Sequence, residues 1–252
     1  MATNNEINNT VAENDFSVNR STAGTAVESS VEHSDNSNTG SHAQLLAQTG
    51  GGSGGDPFIR LNISGAQDYS FGIDNSNSDI LKIQDDADPS TGNNLWALTS
   101  SGERVMPLQP CFHAYLDTTA SNVTGNGTTY SIIFNNELID QGSDFNTGTG
   151  TFTCPVDGNY NFGSGVNARA CAAGMTLGEC DIVTSDNTFT NTKTPAKEFI
   201  AANGDVMFQA STKTPMDAAD TAYMDITITG GALVVDIVGL NYETYFYGKL
   251  DY

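Results

Sequence analysis

Basic residues are scarce in this sequence: nine Lys and Arg stand against 30 Asp and Glu, a formal net charge of −21 at pH 7. A surface of that sign repels phosphate backbones and anionic headgroups, so neither nucleic acid nor an anionic membrane is expected as a partner. Long apolar runs are missing as well. No stretch approaches the roughly 20 residues of a membrane-spanning helix, and the start, MATNNEINNTVAENDF, has neither the basic region nor the apolar core of a secretory leader. Synthesis in a host cytoplasm without membrane insertion is the expectation. Histidine is rare, and His33, His42 and His113 have no Cys, His or carboxylate at ligand spacing around them, which disfavours metal ligation and general-base catalysis. The four cysteines, Cys111, Cys154, Cys171 and Cys180, show no CxxC spacing. They read as small core or strand residues, with a Cys171 to Cys180 bridge left open for an oxidising medium. The run Gly163-Ser164-Gly165 is out of register for a nucleophile elbow, and TGGGSGG lacks the lysine of a phosphate loop. No catalytic residue and no cofactor are expected, and the chain does not read as an enzyme.

What is present is short-period β text. Apolar residues make up 38% of the 252 positions, enough for a packed core. Residues 1–40 are the exception. They are rich in Asn, Ser, Thr and Glu and poor in aromatics, the composition of a tail that needs a partner to order it. Residues 41–55 predict one or two helical turns at SHAQLLAQTGGG, with Asn38, Thr39 or Ser41 as caps and Gly50 as the stop, followed by a Gly-rich hinge. Leu45 and Leu46 are too few to hold that helix without docking.

From 56 to 108 the text alternates as a small β stem. Ile59, Leu61 and Ile63 share a face, then Tyr69, Phe71 and Ile73, then Leu81 and Ile83, with Trp96 beyond. So thin a sheet has one face needing cover, and self-association is a natural way to supply it. The acidic turns DNSNSD and DDADPS offer Asp74, Asp79 and Asp85 as weak calcium candidates. Neither turn has the Gly and Glu of a twelve-residue calcium loop, and Asx turns are the simpler reading. MPLQP, with proline at both ends, marks a boundary before a head of residues 109–252. There, eight or more period-two segments separated by Gly, Asn and Asp turns predict an all-β sandwich or jelly roll.

One stretch of the head is more particular: FNNELIDQGSDFNTGTGTFTCPVDGNYNF, residues 134–162. Phe152 and Cys154 point one way on a strand that Pro155 ends, VDGN turns the chain with Gly158 supplying a positive φ, and Tyr160 and Phe162 share a face of the returning strand. Together with Phe134 and Phe145 this predicts a cluster of large rings on one side of two neighbouring strands. The C-terminal run places Tyr242, Tyr245, Phe246, Tyr247 and Tyr252 on two faces; one packs the sandwich and the other suits a trimer interface, unless the strand is an ordinary aromatic edge.

The spacing Phe134, Asp140, Phe145, Phe152, Gly158, Tyr160, Phe162 resembles that of the globular head of complement component one, subcomponent q, a structural relative of tumour necrosis factor. QPCFHAYL is similar to the first strand of that head and TYFYGKLDY to its last, whereas Ser164 stands where the pattern has another aromatic. The resemblance implies a ten-stranded jelly roll, a compact trimer joined through aromatic faces near the threefold axis, ligand-binding loops at the outer end, and no catalytic residues. More loosely, GGSGGDPFIRLNISGAQDYSFGIDNSNSDILKI followed by NNLWALTSSGERV resembles the stem of bacteriophage tail or head fibres. The combined expectation is a homotrimeric virion fibre or spike. Residues 1–40 would bind other virion proteins, and a head at the virion surface would recognise a host cell-envelope glycan or protein. A capsid decoration protein and a soluble lectin-like or cytokine-like protein are the alternatives.

Overall fold

The computed structural model describes residues 30–34, 37, 39–40, 42–172, 174–193, 204–240 and 242–251. The tail thus lies largely outside the described residues, as do the proposed caps Asn38 and Ser41 and the terminal Tyr252. Every regular element among the described residues is a strand. The helix expected over 41–52 is not there: residues 42–49 have no regular structure, and Leu45 is 77% exposed. A single nucleating turn fixes several dihedrals for one hydrogen bond, and with neither leucine docked nothing offsets that cost.

Five strands form the first sheet: β1 (Phe58–Ile63), β2 (Gln67–Asp74), β3 (Ile80–Gln84), β4 (Asn94–Leu98) and β5 (Arg104–Val105), an antiparallel meander in sequence order. Its two faces are the reverse of the usual arrangement. Ser70, Asp74, Lys82 and Gln84 are buried, beneath the chain's own loops. Gln84 Nε2 donates to the Pro89 carbonyl at 2.7 Å, and the Asn75 amide donates to Asp56 Oδ1 at 2.8 Å. Lys82 Nζ sits 2.5 Å from Asp74 Oδ2, both side chains almost fully buried. The alternate residues Ile59, Leu61, Ile63, Tyr69, Phe71 and Ile73 are exposed.

Asp74 is therefore engaged by a lysine, in the place a cation would take. Asp85 is bonded through its carboxylate to the Asn93 backbone and side-chain amides, and Asp79 adopts a left-handed φ of 57° in the turn. The described residues hold no cluster of three His, Cys, Asp or Glu able to share a metal ion.

The head is a jelly-roll sandwich of two antiparallel sheets. One comprises β8 (Thr129–Ser131), β10 (Phe145–Asn146), β11 (Thr151–Thr153), β13 (Leu177–Thr184), β14 (Thr188–Lys193) and β16 (Thr221–Thr229), in the path β10-β11-β16-β13-β14 with β8 on β16. The other comprises β6 (Cys111–Tyr115), β7 (Ala120–Thr124), β9 (Asn136–Gln141), β12 (Gly158–Cys171), β15 (Gly204–Met216), β17 (Val235–Ile237) and β18 (Tyr245–Asp251). Its path is β7-β17-β12-β18-β6-β9, with β15 along the opposite edge of β12. The head has thirteen strand segments against the ten expected, and four of them, β8, β10, β11 and β17, have three residues or fewer.

The ring cluster forms, by a different route from the one the sequence suggests. Phe152 on β11 and Tyr160 on β12 are not in neighbouring strands: β11 pairs with β10 and β16, β12 with β15, β17 and β18. The chain crosses from one sheet to the other at Pro155–Asp157, and the rings meet across the sandwich, Phe152 to Tyr160 at 5.6 Å and to Phe162 at 5.9 Å between centroids. The crossing is fastened by the Tyr160 hydroxyl donating to the Val156 carbonyl at 2.9 Å. Nor does Gly158 supply a positive φ. It begins β12, and a Cβ there would lie 2.5 Å from Leu250 Cδ1, so its place is explained by close approach of the last strand. Phe112 is the hub, stacked at 4.8 Å on both Phe145 and Phe152 and edge-on to Phe246 at 5.1 Å. Each such ring contributes about 1.5–3 kcal/mol by burial alone.

None of the four cysteines is in a disulfide; Cys154, Cys171 and Cys180 are buried in this core and Cys111 is half-buried, so no Cys171 to Cys180 bridge forms. Burial pushes the Cys171 thiol up to about 11, which leaves it unreactive at neutral pH.

Candidate functional site

Phe134, Phe145, Phe152, Tyr160 and Phe162 belong to the core, none more than 6% exposed. Tyr245 and Tyr247 are elsewhere. On β18 the side chains alternate, Phe246 entering the core and the two tyrosines standing on the outer face of the seven-stranded sheet, with Tyr247 42% exposed. β18 is not an edge strand, because it lies between β12 and β6.

Glycines opposite these tyrosines make the site. Gly163 pairs directly with Tyr247 and Gly165 with Tyr245. A Cβ on Gly163 would sit 2.4 Å from Tyr247 Cζ, and one on Gly165 would sit 2.6 Å from Tyr245 Cε1, so each ring lies flat over its glycine. An aromatic laid across a strand glycine supplies the packing the glycine lacks. The rings stack on each other at 6.3 Å with 19° between planes.

On the neighbouring strand β6, His113 packs between them, 5.7 Å from Tyr245 and 6.1 Å from Tyr247. Tyr115 extends the surface to Tyr242, their rings edge-on at 4.7 Å. Ile139 on β9, opposite His113, is half exposed. Burial holds the His113 imidazole below its usual range, so it is neutral at pH 7. Its Nε2 is sealed from solvent and has no hydrogen-bond partner among the described residues. The result is a flat, uncharged, aromatic plateau on a very acidic protein.

Sequence reasoning found Tyr245 and Tyr247 but missed His113, Tyr115 and the two glycines. The signal was there: GSG in one strand and YFY in another, each with period two. Only the register of β12 against β18 shows that they face each other.

The outer face of the other sheet is polar. Asp181 and Asp225 are directly opposed across β13 and β16, and Ser131 Oγ donates to Asp225 Oδ1 at 2.5 Å. Burial raises the Asp225 carboxyl; the Ser131 bond lowers it, the Asp181 charge raises it further, and the net shift is upward. A carboxyl whose folded pKa lies above its unfolded value stabilises the fold below the unfolded pKa and loses that contribution as pH rises through the folded one. Asp225→Asn, which removes a half-buried charge and its repulsion from Asp181, should therefore stabilise the head at pH 7 by about 0.5–1 kcal/mol, and give no gain at pH 3. Urea unfolding at both pH values checks this, and a loss of stability at pH 7 would show that the Asp181–Asp225 contact is not repulsive.

A cavity of about 300 Å³ lies beside the Met106–Pro110 connection, lined by Arg104, Gln109, Cys111, Gln141 and Lys249 among others. Neither histidine nor carboxylate lines it, so it lacks an acid–base pair.

The model of the C1q domain family matches residues 112–214. Among solved structures, the globular domain of zebrafish complement 1qA protein is 17% identical, with 57% of this chain and 98% of that chain covered and a TM-score of 0.39. Two crystal structures of murine APRIL are 8% identical, cover 57% of this chain and 99% of theirs, and have TM-scores of 0.40 and 0.41. Among curated proteins no sequence matches this chain. The fold of the matched residues is the jelly-roll sandwich of C1q-like domains. Domains of the C1q type are generally non-enzymatic recognition modules.

Proposed function

We propose that this chain is a homotrimeric recognition protein, and that its setting is a bacteriophage fibre or spike. The observation that carries the trimer is the plateau of Tyr245, Tyr247, Tyr115 and His113: an uncharged aromatic surface with a sealed, unpartnered imidazole nitrogen. Aromatic enrichment and depletion of charge mark the centre of protein interfaces. The C1q match points the same way, since homologues with this fold are homotrimers.

The viral setting is supported by the stem's turn-rich text and by the polar composition of residues 1–40, which suits a tail held by other virion proteins. Three heads on each fibre, and several fibres on a particle, turn weak contacts with an envelope glycan or protein into firm attachment. Recognition is non-covalent, and no residue is assigned a catalytic role.

Tyr247→Glu is expected to convert the trimer to monomers, because it places three carboxylates in one apolar interface. Light scattering of the full chain reads this directly: three chain masses before the change and one after. A wild-type mass of one chain would end the trimer reading. For the setting, labelled antibody against the head should decorate particles of the virus encoding the chain. A chain found only free of particles would leave lectin-like or cytokine-like recognition as the function.

A further inference from the structure

We infer that the apolar face of the five-stranded stem sheet is covered by other copies of this same chain, which makes the stem a second assembly element separate from the aromatic plateau of the head. The face is large. Ile59, Leu61, Ile63, Tyr69, Phe71 and Ile73 are all exposed, Leu61 by 65% and Ile63 by 68%. Together they present roughly 600 Å² to water, at the upper end for the largest patch on a soluble monomer and close to one partner's share of a standard interface. Leu81, Ile83 and Trp96 continue the patch, because β1 to β4 are in register through Ile59, Phe71, Ile83 and Trp96.

The other face cannot supply cover, since it is closed by its own loops around the buried Lys82–Asp74 pair. Alternation sends Asp74 and Lys82 to the closed part of that side and Arg60 and Asp68 to its open β1 edge, where they pair at 2.7 Å, and of the charged strand residues Arg104 stands at the β5 rim of the apolar side. For a chain of net charge −21, this uncharged face is a surface on which two copies can meet without local repulsion.

Two considerations select a second copy over the chain's own tail or a foreign partner. Residues 1–40 are dominated by Asn, Ser, Thr and Glu, with Phe16 their only aromatic, too little apolar surface to cover such a patch. Only residues 106–110 separate β5 from β6, a reach of under about 20 Å even when extended. This last step rests on the trimeric reading of the head: joined heads hold the stems at high effective concentration, so that even a modest patch associates.

The test uses the full chain with Cys111→Ser as background. Leu61→Cys, on the apolar face, should form intermolecular disulfides on mild oxidation, whereas Arg60→Cys, one residue away on the opposite face, should form few. Trp96, the protein's single tryptophan, reports the same face: acrylamide quenching should be weak in the parent and rise several-fold in Phe71→Glu. If Leu61→Cys fails to cross-link while Trp96 is shielded, the tail or another part of the chain covers the face and the inference is overturned. It is equally overturned if Leu61→Cys fails to cross-link and Trp96 is freely quenched. The head reading is judged separately. A trimeric mass without cross-links rejects only the stem inference, and cross-links that persist when Tyr247→Glu leaves the mass unchanged reject only the head plateau.

Discussion

Phe112→Ala is expected to destabilise the head by about 3–5 kcal/mol, the range for removing a buried ring. The figure belongs at the upper end. Phe112 contacts Phe145, Phe152, Phe162 and Phe246, rings contributed by both sheets, so truncation leaves a cavity walled by stiff aromatic rings. Packing at close-to-crystal density makes such a void costly, and aromatic pairs add about 0.5–1.5 kcal/mol each beyond burial. Far-UV circular dichroism during urea unfolding, at one fixed protein concentration because assembly contributes to apparent stability, measures the effect. A loss below about 1 kcal/mol would mean that the sheets are held elsewhere.

Lys82→Met is expected to cost the stem about 3–5 kcal/mol, because it strands a buried carboxylate without its cation. Asp74 is 2% exposed, and among the described residues its carboxylate accepts side-chain bonds from Lys82 and from Ser76, the latter at 2.7 Å. Burial by itself raises the Asp74 carboxyl, but the hydrogen bonds from Lys82 and Ser76 and the lysine charge outweigh it, and the net shift is downward.

The pH dependence has a definite sign. With the folded pKa below the unfolded one, the parent's contribution is present above the unfolded value and is lost as pH falls through the folded value. In Lys82→Met the burial effect, the largest single one, is opposed only by the bonds from Ser76 and Asn77, so the downward shift is reduced and acid should weaken the variant less than it weakens the parent. Trp96 fluorescence on denaturation at pH 7 and pH 4 distinguishes the two. Asp74→Leu combined with Lys82→Met should recover most of the loss, since an apolar pair of similar volume replaces a buried ion pair at little cost. A variant as stable as the parent at pH 7 would show that the pair is solvated.

How much of this was legible in the sequence varies with the range of the interaction involved. Strand alternation is local, and the stem strands and most head strands could be read from it. β13 carries little such signal, because its inward side chains, Gly178, Cys180, Ile182 and Thr184, include only one large apolar residue. The expected helix at Leu45 failed for want of anything to dock against. Phe134, Phe145, Phe152, Tyr160 and Phe162 all lie in the core, but the strand pairing inferred from their spacing was wrong: a chain reversal looks the same in sequence whether it joins neighbours in one sheet or passes between two.

The sequence by itself determined the all-β character, the acidic surface and the residues of the aromatic core, because composition and period-two alternation act within a few residues. Only the tertiary structure decided that Gly163 and Gly165 carry Tyr247 and Tyr245, that His113 is sealed between them, and that the stem buries its polar face and shows its apolar one. These depend on strand register and on which loop folds over which face, and both are set by contacts between residues far apart in the chain.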